Sequence, residues 1–172
     1  MKYEFVPGDE IVIAPGRTVK RIRAIVAIAA FGVSAGDAGG YVESNENLSQ
    51  VGNAWVYGNA RVYGNARVSG NALVSGNAWV SGNARVSGDA RVSGDALVSG
   101  DRMIFWATKV GRDNATLTVF NGKNGLIVTR GCFIGSIDDF LEKSKIEHDD
   151  ETHIEYRMLI EVAYSRITRA TK

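Results

Sequence analysis

Between Val56 and Asp101 the chain repeats one six-residue phrase, V-(S/Y)-G-(N/D)-A-x, with units beginning at Val56, Val62, Val68, Val74, Val80, Val86, Val92 and Val98. The third position is always Gly, from Gly58 to Gly100. The fourth is Asn, then Asp from Asp89 onward, and the fifth is Ala until Arg102 ends the series. A degenerate unit, QVGNAW, precedes them at residues 50–55. A period of six fits neither an α-helix nor a meander of hairpins. It suits a left-handed parallel β-helix, in which three hexads make one triangular coil. Ala at position 5 and the next Val at position 1 are two residues apart, so both face inward. Gly and Asn or Asp supply the tight corners. Nine units make about three coils, roughly 14 Å of height at about 4.8 Å per strand. Such a stack cannot close its own ends, so caps are required.

Residues 1–49 and 104–172 read as those caps, flanking a repeat domain at 50–103. The N-terminal part predicts short strands YEFV and IVIA between PGDE and PGRT turns, then a longer strand VKRIRAIVAIA. The segment GDAGGYVESNENL leads into the coils, with Val42 and Leu48 in the alanine phase of the hexad. After the coils, TLTVF and GLIVT form a strand pair around NGKNG. Ser136 with Asp139 predicts a capped helix over 137–147. A second helix at about 151–168 is expected to bury Ile154, Met158, Val162 and Ile167. The fold class is therefore mainly β: a short β-helix, a β-rich N-terminal cap and a small α+β C-terminal module.

Charge is uneven along the chain. Residues 1–49 carry net −1, residues 50–103 carry five Arg and three Asp for net +2, residues 104–130 carry net +3, and residues 131–172 carry net −3. The mildly positive middle favours an anionic ligand and is too weak for duplex nucleic acid. The single cysteine, Cys132, excludes an intramolecular disulfide and fits a reducing cytosol; it reads as a buried structural thiol. The longest apolar run, AIVAIAAFGV at 24–33, is too short to span a bilayer and reads as a buried strand. No membrane association is expected.

The repeat resembles the hexapeptide-repeat superfamily, although Gly sits one place later than in its commonest motif. Residues 21–68, RIRAI…FGVSAGDAGGYVESNENLSQVGNAWVYGNARVYGNARV, resemble the start of small bacteriophage and prophage repeat proteins. Residues 110–143, VGRDNATLTVFNGKNGLIVTRGCFIGSIDDFLEK, resemble a C-terminal module found in them. The resemblance implies a phage-encoded protein, a homotrimer, acting in the cytoplasm of the bacterial host during infection. It carries no catalytic residues across.

Many proteins with such repeats are acyltransferases with a histidine general base. Here the only histidines, His148 and His153, lie in EHDDETH, outside the coils. A carbonic anhydrase of this fold uses three histidines to hold its metal, and this chain has two. One cysteine argues against a zinc site, and His148, Asp149, Asp150, Glu151 and His153 read as a solvated helix start. Neither a phosphate-binding P-loop nor a nucleophile elbow is present. No cofactor is expected, and an enzyme ranks behind the non-enzymatic readings.

The sixth letters are free of the fold's demands. Spaced by 18, they form three columns: Trp55, Leu73, Arg91; Arg61, Trp79, Leu97; and Arg67, Arg85, Met103. With Val and Ala inside, they are expected to point outward. Apolar groups there mark an interface, and Trp and Arg are typical of binding hot spots. The candidate ligand-binding residues are Arg61, Arg67, Arg85 and Arg91, with Trp79, Tyr57 and Tyr63 as stacking rings, extended by Trp106 and Arg112 below the coils. The expectation is a binding protein that sequesters a nucleotide-like anion, such as a signal of bacterial immunity, between protomers. The alternative is a rigid trimeric scaffold that grips a host or phage protein.

Overall fold

In the computed structural model, residues 1–170 are described; the last two residues of the expected C-terminal module lie outside the described residues. Two antiparallel strands come first, β1 (Tyr3–Ala14) and β2 (Arg17–Ala24), followed by β3 (Ala38–Val42). The repeats then supply eight two-residue strands, each the sixth letter and the following Val. They are β4 (Trp55–Val56), β5 (Arg61–Val62), β6 (Arg67–Val68), β7 (Leu73–Val74), β8 (Trp79–Val80), β9 (Arg85–Val86), β10 (Arg91–Val92) and β11 (Leu97–Val98). Each pairs in parallel with the strand 18 residues on: Trp55 with Leu73 and Leu73 with Arg91, Arg61 with Trp79 and Trp79 with Leu97, Arg67 with Arg85. The result is a β-solenoid with three faces. The Val and Ala of every unit are buried and form one continuous core.

The corners explain the remaining letters. The Ala60 N–H donates to the Tyr57 carbonyl at 3.3 Å, closing a four-residue turn that recurs in later units. The Gly after each turn's first residue, from Gly58 to Gly94, has φ between 57° and 67°, while the Asn or Asp that follows keeps a negative φ. That sign pattern is a type II′ turn, which asks for Gly at its second position. At Gly76 the stack adds a second constraint: a Cβ would stand 2.8 Å from the backbone nitrogen of Gly94.

The corner asparagines form ladders. Asn53 Nδ2 donates to Asn71 Oδ1 (3.0 Å), and Asn71 Nδ2 donates to Asp89 Oδ1 (3.0 Å). Asn65 donates to Asn83 (3.2 Å) and Asn77 to Asp95 (3.3 Å). An amide both accepts and donates, whereas a carboxylate only accepts. Asp89 and Asp95 therefore suit the last rung, where nothing below needs a donor. This accounts for the switch from Asn to Asp in the final coil.

The N-terminal cap departs from the sequence expectation in four places. PGDE is no turn: β1 runs straight through it, with a register shift between Phe5 and Glu10. The strand from Arg17 stops at Ala24, because the Ala24 N–H donates to Asp37 O (2.9 Å) and its carbonyl accepts from Gly36 N (2.8 Å). The chain between them is a pinned loop, so AIVAIAAFGV is not a buried strand. Ile28 and Val33 are buried, but Ile25 and Val26 are exposed and Ala29–Phe31 make a 3-10 turn. Finally, Val42 and Leu48 occupy the valine phase, not the alanine phase. Val42 pairs with Val62 and Leu48 bridges Val68, 20 residues apart instead of 18. The two extra residues bulge out at the corner before β4, where Val51 is exposed and Gln50 accepts from the Lys2 backbone N–H (2.7 Å). QVGNAW is thus not a full unit.

Since β2 pairs with β3, and β3 with β5, the cap extends one solenoid face into the six-stranded sheet β1-β2-β3-β5-β8-β11. Lys2 and Tyr3 close the top. Lys2 Nζ donates to Ala54 O (2.6 Å), and Tyr3 Oη donates to Leu48 O (3.0 Å). Burial lowers the Lys2 ammonium to about 8 and raises the Tyr3 phenol to about 12.

The C-terminal module is an antiparallel sheet of β12 (Ile104–Val110), β13 (Ala115–Gly122), β14 (Gly125–Arg130) and β15 (Phe133–Ser136), with helices α1 (Ile137–Glu147) and α2 (Asp150–Ala170). The strand pair around NGKNG and the Ser136 cap appear as read; Ser136 Oγ accepts from Asp139 N at 3.1 Å. Ile104 and Phe120 join the solenoid core, while Leu117, Val119, Val128, Phe140 and Tyr156 belong to a second core under the helices. Thr129 Oγ1 donates to Arg91 O (2.7 Å) and Asn121 Nδ2 to Leu97 O (3.0 Å), so the sheet forms the solenoid's floor. The buried side of α2 is Tyr156, Ile160, Ala163 and Ile167. Of the expected stripe only Ile167 is buried; Ile154, Met158 and Val162 face outward. Two apolar stripes run along this helix, and the larger side chains of Tyr156 and Ile160 take the core.

Candidate functional site

The three sixth-letter columns meet different fates. On the β4-β7-β10 face, Trp55 is fully buried, its ring edge-on to Tyr3 at 6.4 Å beneath the N-terminal cap. The outward position expected for it is covered, because the cap needs an apolar seat. Leu73 is half-buried and packs against the core with Phe31. The Arg91 guanidinium lies 5.3 Å over the Phe31 ring, and its backbone is held by Thr118 and Thr129 of the module. This column serves the fold.

On the β3-β5-β8-β11 face, cations and rings alternate. Arg21 lies 4.3 Å over Tyr41, Arg61 5.0 Å over Trp79, and Arg17 5.5 Å over Tyr63, whose ring meets Trp79 edge-on at 6.4 Å. Such contacts contribute about 0.5–1 kcal/mol at exposed sites. Trp79 is 37% and Leu97 40% exposed. Arg61 Nε is buried with no hydrogen-bond partner among the described residues.

The β6-β9 face is different. The N-terminal segment reaches it only through Asn45, Glu46 and Ser49. Arg67 and Arg85 are exposed and directly paired across adjacent strands. Like charges facing each other across a strand pair are destabilising, so this register asks for a counter-ion. Glu46 meets Arg67 only at 3.8 Å from a largely exposed position, a weak contact. Arg85 has no ion pair among the described residues. The expected third member, Met103, is in a 3-10 turn (Asp101–Met103) instead of a strand, so the column is a pair.

Open clefts flank the arginine ridge. One, of about 340 Å³, is lined by Glu46, Gly64, Asn65, Arg67, Asn83, Arg85 and Asp101. The other, of about 430 Å³, is lined by Asn45, Ser49, Arg67, Ser69, Arg85 and Ser87. The hydroxyls and amides recur at the coil period, so each arginine has the same neighbours. Glu46, Asp101, Ser69 and Ser87 escaped the sequence reading. For Asp101, Ser69 and Ser87 the signal was the 18-residue spacing itself, applied to corner positions; Glu46 lies before the two-residue bulge and off that spacing.

The remaining candidates lie elsewhere. Tyr57 is exposed at the corner between β4 and β5, and does not line either cleft. Trp106 is a floor tile: a Cβ on Gly88 would come within 3.1 Å of its Nε1. Arg112 lies in the turn between β12 and β13, where its charge acts on Asp113 and Asp149. Neither extends the arginine pair.

A third cavity, about 360 Å³, lies between the β14–β15 turn and α1, lined by Arg130, Cys132, Phe133, Lys143 and His148 among others. Its cations already have partners: Arg130 pairs with Asp113 (3.0 Å) and Lys143 with Glu147 (3.5 Å). Arg130 also holds the Asp113 carboxyl below its ordinary range. Cys132 is exposed, not buried as expected, because it sits in the tight β14–β15 turn after Gly131 at φ 56°. The acidic segment starts α2: Asp149 Oδ1 accepts from Thr152 N at 2.8 Å. No cluster of metal-ligating side chains occurs among the described residues, and no described helix is long and apolar enough to cross a membrane.

The family model of the YdcK beta solenoid repeat matches residues 54–68, 66–82, 80–92 and 90–104. These overlapping matches span the coils and leave both caps outside. No curated protein and no solved structure matches the chain. The coil geometry and the repeat match agree: this is a repeat β-solenoid protein of about three turns, with coils similar to the YdcK beta solenoid repeat.

Proposed function

We propose that the chain is a non-enzymatic binding protein that captures a small, nucleotide-like anion on the β6-β9 face, between protomers of a homo-oligomer. One observation carries this reading: Arg67 and Arg85 stand exposed and in register on adjacent strands, with only the weak Glu46 contact to offset their charge. Two guanidiniums one strand apart can share a phosphate through charge-assisted hydrogen bonds. The Asn65 and Asn83 corner separates them from the rings of Tyr63 and Trp79, which offer a stacking surface for a base. Both clefts are open, so a second copy is needed to enclose a ligand. The resemblance to phage repeat proteins supports a role against a nucleotide signal of bacterial immunity, in the cytoplasm of an infected cell.

A scaffold is the second reading, favoured by the exposed Trp79 and Leu97 on the adjacent face. In it the solenoid is a rigid trimeric spacer for a host or phage protein. Thermal melting with a panel of cyclic and linear nucleotides, and inorganic phosphate as control, separates the two. The binding reading expects a rise of several degrees at ligand concentrations about a hundredfold above Kd. Arg67→Glu with Arg85→Glu is expected to remove that rise and leave the native mass unchanged. Absence of a shift across the panel rejects capture. A light-scattering mass of one chain rejects an inter-protomer site.

A further inference from the structure

A helix that packs one face on a sheet needs only one apolar stripe. α2 has two. Opposite the buried Tyr156, Ile160, Ala163 and Ile167, a second row of Ile154, Met158 and Val162 is exposed at 44%, 59% and 49%. At about 100° per residue, Ser165 continues the row and Glu151 and Arg169 lie at its two ends. Among the described residues, nothing covers this row.

We infer that α2 is a self-association surface, on which two copies of this chain pair antiparallel along Ile154, Met158 and Val162. The charges select both the occupant and its direction. Arg157 and Glu161 flank the row on the same side, and no ion pair to either is formed among the described residues. In an antiparallel pair centred on Met158, the same flanks of the two helices face each other. Arg157 of each copy then lies beside Glu161 of the other, twice by symmetry, and Glu151 lies about one turn from Arg169. Ile154 meets Val162, and Met158 meets its own copy. A parallel pair would set Glu151 against Glu151 and Arg169 against Arg169, which like-charge repulsion disfavours. The face is thus self-complementary under a two-fold axis, as an isologous interface requires. None of its residues lines the clefts of the β6-β9 face, so its failure leaves the anion reading standing, and the reverse.

The test uses the full chain. Met158→Asp, at an exposed position, is expected to halve the mass found by sedimentation equilibrium while the circular dichroism spectrum stays unchanged. In a Cys132→Ser background, mild oxidation is expected to cross-link Met158→Cys across the symmetry axis and to leave Glu151→Cys uncross-linked. An unchanged mass for Met158→Asp overturns the pairing. Cross-linking of Glu151→Cys as readily as Met158→Cys overturns its antiparallel direction.

Discussion

The corner ladders predict an asymmetry between two isosteric substitutions. Asn71 accepts from Asn53 and donates to Asp89. Asn71→Asp keeps the first bond and loses the second, worth about 0.5–1.5 kcal/mol, with the lower end apt for an exposed corner. It also sets two carboxylates against each other at about 4 Å, which adds about 1 kcal/mol in bulk water and up to about 4 at a surface effective dielectric of 20. The expected loss is about 2 kcal/mol at neutral pH and low salt. Asp89→Asn exchanges one acceptor for another and adds a donor that faces water below, so its change stays within about 0.5 kcal/mol. The like charge raises the folded-state carboxyl values of the pair above their unfolded ones. The penalty is therefore present above the raised values and disappears as pH falls through them. Urea titrations at pH 7, at pH 7 in 0.5 M salt and near pH 3 measure it. Salt shortens the Debye length toward about 4 Å and should remove part of the deficit; acid should remove all of the repulsive part. Equal losses in the two variants, or a deficit for Asn71→Asp that ignores both pH and salt, would refute the end-rung account of Asp89.

Gly76→Ala meets both a positive φ and the Gly94 backbone at 2.8 Å, whereas Gly16→Ala meets a positive φ and open space; in urea the first should cost well over 2 kcal/mol and the second about 1. Because folding lowers the Lys2 ammonium from 10.5 to about 8, the unfolded chain binds more protons between those values. Stability should therefore rise from pH 8 to 10, by up to about 2 kcal/mol, and Lys2→Met should flatten that slope in a pH series of melts. Above pH 10 the Tyr3 phenol, raised from 10.0 to about 12, reverses the trend, since the unfolded chain ionises first. Gly111→Ala drives a methyl into the Tyr156 hydroxyl, so hydrogen exchange should accelerate in α2 and β12 while the coils stay protected.

The coils were legible because each letter of the hexad answers one geometric demand, and eight repeats state it eight times. The caps were not, because their course is set by contacts distant in sequence. PGDE has turn composition, yet pairing with β2 draws it into an irregular strand. AIVAIAAFGV has strand composition, yet the bonds of Ala24 to Gly36 and Asp37 pin it as a loop. The two-residue bulge before β4 moved Val42 and Leu48 into the other phase, and nothing in their own neighbourhood signals it. In the site, the 18-residue spacing placed Arg67 beside Arg85 and Arg61 beside Trp79. It said nothing of which columns the caps would cover, so Trp55, Trp106 and Arg112 were assigned to a surface that the fold uses otherwise. On α2, two stripes of one period compete, and the choice between them depends on the sheet beneath.

The solenoid's ends are closed by parts that take no share in the repeat: Lys2 and Tyr3 above, Trp106 and the C-terminal sheet below. Coil number is consequently free to change while both ends stay as they are. Duplicating residues 62–79 in frame would lengthen the prism by about 4.8 Å, and would add one arginine to the ridge. The number of arginines on the ridge is therefore quantised, and a tandem duplication or deletion in the gene sets it in steps of one coil.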